Sequence, residues 1–328
     1  MARQTIDRDQ AEALAMAALS RAGMPEDLAA TAARALVQAD QDGLASHGLA
    51  RLPFYVAQMA SGKVVANARP QVTRDGAVIR VDAGHGLAFA AIAAGAGAAQ
   101  PVARDLGLAA IAIRRSHHFG VAGQAVEPLA RAGFLALAFS NTPAAMAPWG
   151  GTTPVFGTNP IAFAAPTGAD PLVIDLSLSH VARGKVMLAQ KAGQPIPEGW
   201  ALDAAGQPTT DASAAMAGSM VPSGGAKGAA LALMVEMLTA GLVGGNFGHQ
   251  ASSLFEAEGA PPDLSHLILV FEASRFAPGF STRAAQLFEA IAAQPGARLP
   301  GTRRLAARAQ PITLPDGLLA TLRALAAP

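Results

Sequence analysis

The residues best suited to chemistry in this chain sit where an apolar run stops. LAAIAIRRSHHFG, residues 108–120, ends on two adjacent imidazoles, His117 and His118. Leu108, Ile111 and Ile113 spaced among alanines predict a strand buried on at least one face. Ser116, His117, His118 and Gly120 then fall at the strand's end, and in an open α/β sheet that is where ligands gather. An imidazole titrates near neutral pH and can exchange a proton with a substrate. A lone histidine is more often a surface or satisfied core residue, so the pair by itself only nominates a place. Residue type excludes other chemistries. With no cysteine there is no disulfide framework, thiolate metal site or sulfur nucleophile. The histidines at 47, 85, 117, 118, 180, 249 and 266 show no HExxH spacing, so no metal site is expected.

The usual nucleotide signatures are also missing. GAGAAQ at 95–100 has glycines, but they lie inside a helical stretch, and Gln100 stands where a third glycine would be needed. Close helix packing is the better reading of them. There is no GxxxxGK[ST] phosphate loop.

These residues must be positioned by alternating strands and helices. Helices are predicted over 7–22 and 26–43, with Pro25 suited to the first turn of the second. A turn at Ser46–Gly48 leads into a short helix closed by Gly62. Alternation over 70–82 predicts a hairpin, and 87–105 a helix ended near Gly107. Further helices are expected at 123–132, 179–191, 281–294 and 315–326, strands at 134–141, 171–177 and 264–276, and at 154–166 a loop running into a strand. PEGWALDAAGQPTTD reads as a loop with turns, and GGAKG as a turn into a long apolar helix. The class is α/β or α+β around a large sheet.

The chain has 328 residues, 51% apolar and 14% charged, with a net charge of +1. So little charge suggests much buried surface, including a subunit interface. Nothing in it favours nucleic acid or an anionic membrane. Residues 132–169 carry no charge, yet Pro143, Pro148, Pro154, Pro160 and Pro166 rule out a spanning helix there. Residues 228–245, with Glu236 and several glycines, read as a buried core helix. MARQTIDRDQAEALA has no apolar leader core, so the cytoplasm is the expected location.

Several segments together carry a resemblance: SHGLARLPFY, SHHFG, PWGGTTPVFGTNPIAFAAP, PEGWALDAAGQPTTD, GGAKG and LPGTRR. From about residue 5 to 310 the chain resembles the malate/L-lactate dehydrogenase family that is unrelated to the Rossmann lactate dehydrogenases. The resemblance implies a homodimer and a large, mostly antiparallel, non-Rossmann NAD(P)-binding sheet flanked by helices. It also implies a helical substrate-side region. The expected division is 116–299 for the cofactor and 1–115 plus 300–328 for substrate and dimerisation.

Substrates of that family share a carboxylate beside a C=O or C=N carbon that receives hydride. Such chemistry needs a cation shaped for the carboxylate, an acid for the developing alkoxide or amine, and a nicotinamide held against the carbon. Arg51 is the expected clamp, because guanidinium pairs bidentately. Ser46, His47, Arg51 and Tyr55 fall on a turn and one helical side. His118 aligns with the acid/base, and His117, pointing the other way along an extended segment, takes a supporting role. For the cofactor the resemblance points to Thr142, Thr158, Asn159, Asp175, Leu176, Ser177, Lys227, Pro300 and Gly301. Lys227 in a Gly-rich turn before a helix suits a pyrophosphate. His180 and Arg183 are added as a candidate 2′-phosphate pocket, which favours NADP slightly over NAD. Thr302 stands where the family often has an acid after Pro-Gly, which leaves cofactor choice open. The expected function is hydride transfer at C2 of a small 2-oxo or 2-hydroxy acid. Reduction of cyclic imino acids is the alternative, and a non-catalytic metabolite-binding dimer is the second.

Overall fold

The computed structural model describes residues 2–167 and 170–327. The chain runs β1 (Arg3–Ile6), α1 (Arg8–Arg21), α2 (Glu26–Gln41), two 3-10 turns (Ala45–His47, Leu49–Arg51) and α3 (Leu52–Ala60). Next come β2 (Gln71–Asp75), β3 (Val78–Asp82), α4 (Ala88–Leu106), β4 (Leu108–Ser116), α5 (Ala122–Arg131), β5 (Leu135–Ser140), β6 (Ile161–Ala165) and β7 (Leu172–Leu176). Then follow α6 (Arg183–Lys191), β8 (Ala201–Leu202), β9 (Pro208–Thr209), α7 (Ala212–Ala217), β10 (Ser219–Met220), α8 (Ala226–Glu236) and a wide π-type turn (Met237–Gly241). β11 (Leu264–Phe271), α9 (Ala273–Phe276), α10 (Phe280–Ala292), α11 (Thr302–Arg308), β12 (Ile312–Pro315) and α12 (Asp316–Ala326) complete it.

The main sheet has seven strands in the order β2-β3-β4-β11-β5-β6-β7. Only β3 and β4 pair parallel; the other neighbours are antiparallel, as expected for a sheet without Rossmann topology. Both faces are covered. Ile79, Val81, Ile111, Ile113, Ile268 and Val270 point to α4 and α5. Phe139 and Leu267 point to the opposite layer of α6, α7 and α8. Gly95 of the GAGAAQ stretch lies against Ile111 and Val81, where a Cβ would collide, so this glycine serves close packing of α4 on the sheet. A second core, including Leu19, Leu36, Leu49, Leu52, Tyr55 and Leu322, holds α1, α2, α3 and α12 together, with the antiparallel ribbon β1–β12 beside them.

Some elements differ from expectation. The 197–211 loop contains a small hairpin, β8–β9, which β10 extends to three strands; two-residue strands leave too little alternation to read. The helix expected over 179–191 starts only at Arg183, because Ser177–Val181 is held by side chain–backbone bonds of Ser177 and Ser179. The strand expected over 264–276 ends at Phe271. β1, β12, α7 and α11 had no expected counterpart. α8 is not a fully buried helix. Ala229, Ala232 and Val235 face the core, while Leu231, Leu233, Met234, Met237 and Leu242 are exposed.

One edge of the sheet gathers the chemistry. Ser116 pairs with Leu264, Ser140 with His266, Phe139 with Ile161, and Ile161 with Leu176. The C-terminal ends of β4, β5 and β7 and the starts of β6 and β11 therefore lie side by side. His118, Thr142, Thr158, Asn159 and Ser177 all follow or precede strands at that edge.

Candidate active site

The turns before α3 are fixed by an acid. Asp40, near the end of α2, accepts from the Leu49 N–H at 2.7 Å. Gly48 lets it approach, since a Cβ there would collide with the Asp40 carboxylate. Burial pushes that carboxyl up to about 6. The turn thus held presents Ser46, His47 and Arg51.

Arg51 is buried, 7% exposed, without a carboxylate partner among the described residues. Its Nε donates to the Ser46 carbonyl at 2.8 Å, its guanidinium lies 4.6 Å over the Phe255 ring, and Nη1 is buried with no hydrogen-bond partner. A desolvated cation with an open N–H arm is a receptor for an anion.

Two imidazoles stand beside it. His47 and His118 stack with centroids 5.4 Å apart. Each has Nδ1 against a hydroxyl: Ser46 Oγ at 3.0 Å for His47 and Tyr55 Oη at 2.7 Å for His118. Such bonds orient a ring and leave Nε2 for a reacting atom. Burial, reinforced by the Arg51 charge, pushes His47 down to about 4 and His118 well below the ordinary range. Both are neutral at pH 7 while Arg51 lacks an anion. Burial holds the Tyr55 hydroxyl protonated, well above the usual phenol range.

The other central histidines differ. His117 meets Tyr55 edge-on at 5.7 Å, and both its ring nitrogens are buried without partners. Burial first, then the Lys63 and Arg51 charges, push it down to about 3. His266 on β11 is bonded on both sides, to Ser140 Oγ at 2.8 Å and Ser116 Oγ at 2.9 Å. It is a satisfied core histidine that sews β4 to β5.

The residues expected to hold a cofactor fall into three groups. Thr142 and Thr158 meet at the sheet edge, where the Thr158 N–H donates to Thr142 Oγ1 at 2.9 Å. Gly157 packs so closely on Thr142 that no side chain fits. Asn159 is fully buried at φ +38°, and its side chain is used by the protein: Nδ2 donates to Ala232 O and Glu236 Oε1, both at 3.0 Å, and Oδ1 accepts from Thr142 N at 3.2 Å. Glu236 is the hub. It also accepts from Asn141 Nδ2 at 3.4 Å and Gly248 N at 3.3 Å, and burial raises its pKa.

Asp175 accepts from the Gly123 N–H at the start of α5, at 2.7 Å. A Cβ on Gly123 would come within 3.2 Å of both Asp175 and Arg304. Arg304 follows Pro300 and Gly301, pairs with Glu127 at 3.0 Å and with Asp42 at 4.0 Å from Nη1, and leaves Nε and Nη1 buried without hydrogen-bond partners. Arg308 anchors the same helix through Asp42 at 2.6 Å and Glu127 at 2.7 Å, which joins α2, α5 and α11. Lys227 is exposed on the first turn of α8, whose N-cap Gly225 offers no side-chain cap. Ser177 and Ser179 hydroxyls are 2.7 Å apart, and the exposed Leu176 adjoins them.

Of the pair expected at a 2′-phosphate, His180 is exposed. Arg183 donates to the carbonyls of Ala144 at 2.7 Å and Met216 at 3.4 Å. Its neighbour Gly184 lies against Ser46, on the side of the imidazoles.

Sequence reasoning missed Glu236, Lys63, Phe255, Asp40 and Arg304. Glu236 did leave a signal, as the sole charge within residues 228–245; a lone acid in an apolar helix is buried only with partners.

A buried cation with an unpartnered donor, neutral imidazoles beside it and a sheet edge without Rossmann signatures suit an oxidoreductase of 2-oxo and 2-hydroxy acids. The chain is a member of the malate/L-lactate dehydrogenase family, whose model matches residues 6–323. It is 62% identical to the (2R)-3-sulfolactate dehydrogenase (NADP(+)) of Chromohalobacter salexigens, over 97% of this chain and 96% of that one. It is 40% identical to the Δ1-pyrroline-2-carboxylate reductase of Ancylobacter novellus, over 94% and 93%. The Δ1-piperideine-2-carboxylate reductase structure from Pseudomonas syringae superposes with a TM-score of 0.91 at 37% identity, over 98% of this chain and 99% of that one. Among the described residues no helix is long and apolar enough to cross a membrane, and no cluster of three or more His, Asp or Glu could hold a metal.

Proposed function

We propose that this enzyme interconverts (2R)-3-sulfolactate and its 2-oxo acid with NADP(H). The observation that carries the reading is Arg51, a buried cation with an open Nη1 beside two hydroxyl-oriented imidazoles. The 62% identity to the sulfolactate enzyme supports the particular acid and the cofactor.

Arg51 takes the C1 carboxylate, which fixes C2 next to the His47–His118 stack. Neutralising Arg51 removes a charge that depresses both imidazoles, so anion binding raises their proton affinity. His118, oriented by Tyr55, gives the proton to the C2 oxygen in reduction and recovers it in oxidation. His47, oriented by Ser46, is the second group able to carry that proton. The bound nicotinamide supplies or accepts the hydride at C2.

The residues present fit a dinucleotide. Arg304 holds buried, open donors beside Asp175, and Gly123 keeps that corner free of a side chain. Asp175, Leu176, Ser177, Pro300 and Gly301 would line the adenosine side, Lys227 and the α8 start a phosphate, and Thr142 and Thr158 the sheet edge, with Asn159 and Glu236 holding that edge in shape. Residues 116–299, joined by Pro300, Gly301 and Arg304, carry the cofactor, and 1–115 with the rest of 300–328 the substrate side. The protein works in the cytoplasm as a homodimer that covers the apolar face of α8.

The test is NADPH and NADH oxidation with sulfopyruvate, oxaloacetate, pyruvate, pyrroline-2-carboxylate and piperideine-2-carboxylate. Highest kcat/KM with sulfopyruvate and NADPH is expected. Preference for a cyclic imine would establish the alternative favoured by the 40% identical reductase. No turnover with any substrate would leave a binding protein.

A further inference from the structure

The mechanism leaves one buried cation without a task. Lys63 is 1% exposed, and its ammonium donates to three carbonyls: Ser253 at 2.7 Å, Glu256 at 3.1 Å and Glu258 at 3.0 Å. It has no ion-pair partner among the described residues. A desolvated ammonium is costly, and an apolar residue of similar volume often stabilises a fold as well. What Lys63 holds is therefore the informative point.

It holds a segment of the irregular stretch 244–263, between the π-type turn and β11. Long irregular connections in a compact fold are commonly functional. Gln58 Nε2 binds the Glu256 carbonyl at 3.0 Å, and Ser61 Oγ binds that of Ala257 at 2.6 Å. At the centre of the segment is Phe255. Its ring backs the Arg51 guanidinium at 4.6 Å and meets Phe54 edge-on at 5.9 Å. Arg51, Phe54, Gln58 and Ser61 follow one another at helical spacing, so a single face of α3 receives the whole segment.

We propose that Lys63 is a positioning residue for the carboxylate clamp: by gripping the 253–258 carbonyls it presses Phe255 onto Arg51 and keeps Nη1 aimed at the substrate. This rests on Arg51 being the clamp. The bond from Nε to Ser46 fixes one edge of the guanidinium, and the Phe255 ring fixes its plane. Without the ring, the arm rotates about its remaining bond, and substrate binding must restore the orientation.

The test uses Lys63→Met, Phe255→Leu, Phe255→Tyr and the double variant Lys63→Met/Phe255→Leu in the full-length enzyme. At saturating NADPH, Lys63→Met should raise KM for the 2-oxo acid about tenfold, a typical worth for a desolvated cation–ring contact. Its kcat should stay within about threefold, and NADPH affinity by fluorescence should not change. Hydrogen exchange over 253–258 should quicken. Phe255→Leu should reproduce the KM change, Phe255→Tyr should not, and the double variant should be no worse than Lys63→Met. Faster exchange with unchanged KM would overturn the proposal, as would multiplicative effects in the double variant. Should Lys63→Met fail to fold, Gln58→Leu with Ser61→Ala loosens the same segment and carries the same expectations. Oxalate titrated calorimetrically into the enzyme–NADP+ complex reads the clamp without turnover. If parent and variant bind oxalate equally, positioning by Lys63 is wrong while the clamp stands. If the parent binds no oxalate, Arg51 is not the clamp, and both readings fall.

Discussion

Removing the Tyr55 hydroxyl isolates the link between fold and proton transfer. Tyr55 Oη and His118 Nδ1 are 2.7 Å apart, and both residues are buried, 1% and 5% exposed. In Tyr55→Phe no bulk water replaces the lost partner. Leaving a buried polar atom unmatched costs about 1–3 kcal/mol, and each ~1.4 kcal/mol at the barrier is tenfold in rate. A loss of roughly 10–100-fold in kcat is expected, since an unheld ring must find its orientation during the reaction. KM for the acid should move little, because Arg51 is untouched, and NADPH affinity should hold. Steady-state kinetics on Tyr55→Phe, His118→Ala and the double variant measure this. Since Tyr55 acts through His118, the double variant should be as slow as His118→Ala alone. A Tyr55→Phe enzyme with parental kcat, beside an inactive His118→Ala, would show that the bond does not serve catalysis. An active His118→Ala beside an inactive His47→Ala would move the proton to the Ser46–His47 pair.

Acid stability follows from the buried imidazoles. His117 and His266 are pushed down to about 3, His47 to about 4 and His118 well below its ordinary value, so below about pH 6.5 the unfolded chain binds protons that the native state refuses. Stability is full above that pH and is lost as pH falls, by at most ~5.4 kcal/mol per pH unit for four groups. Asp40, raised to about 6, works in the opposite sense below that value and cancels about one proton of the slope. Urea unfolding at pH 7.5, 6.5 and 5.5 measures it, and a flat profile would contradict the assignment. Arg51→Lys keeps charge but not the fork, and kcat/KM for the 2-oxo acid should fall by about 10²-fold, chiefly in KM; parental kinetics would remove Arg51 from the clamp. Glu236→Ala leaves the donors of Asn141, Asn159 and Gly248 unmatched and should cost about 3 kcal/mol or more in denaturant unfolding, with weaker cofactor binding; a change below about 0.5 kcal/mol would refute its role as hub.

The residues that gather at the sheet edge were legible because their signals are local. A strand that stops on SHHFG, a cation before a short helix and a Gly-rich turn into α8 each read within a few positions. Arg183 and Asn159 show what local reading does not reach. An arginine's type does not reveal that two main-chain carbonyls bind its fork, and an asparagine's type does not announce that its amide is bonded to Ala232, Glu236 and Thr142. His117, His118 and His266 are chemically identical in the sequence. Neighbours brought from β5, α3 and the 3-10 turns leave one without a partner, orient one through a hydroxyl and make one a core stitch.

The sequence by itself determined the longer helices, the principal strands, the absence of thiol and Rossmann chemistry, and the family. Those properties reside in periodicity, residue type and contiguous motifs. Only the tertiary structure decided which imidazole has a partner, that Arg51 keeps an open arm, and that Lys63, far from any recognisable motif, grips the segment behind it. These depend on burial and on distances between residues as far apart in the chain as Arg51 and Phe255. Hydrogen bonding and desolvation act through space, so no window along the chain contains them.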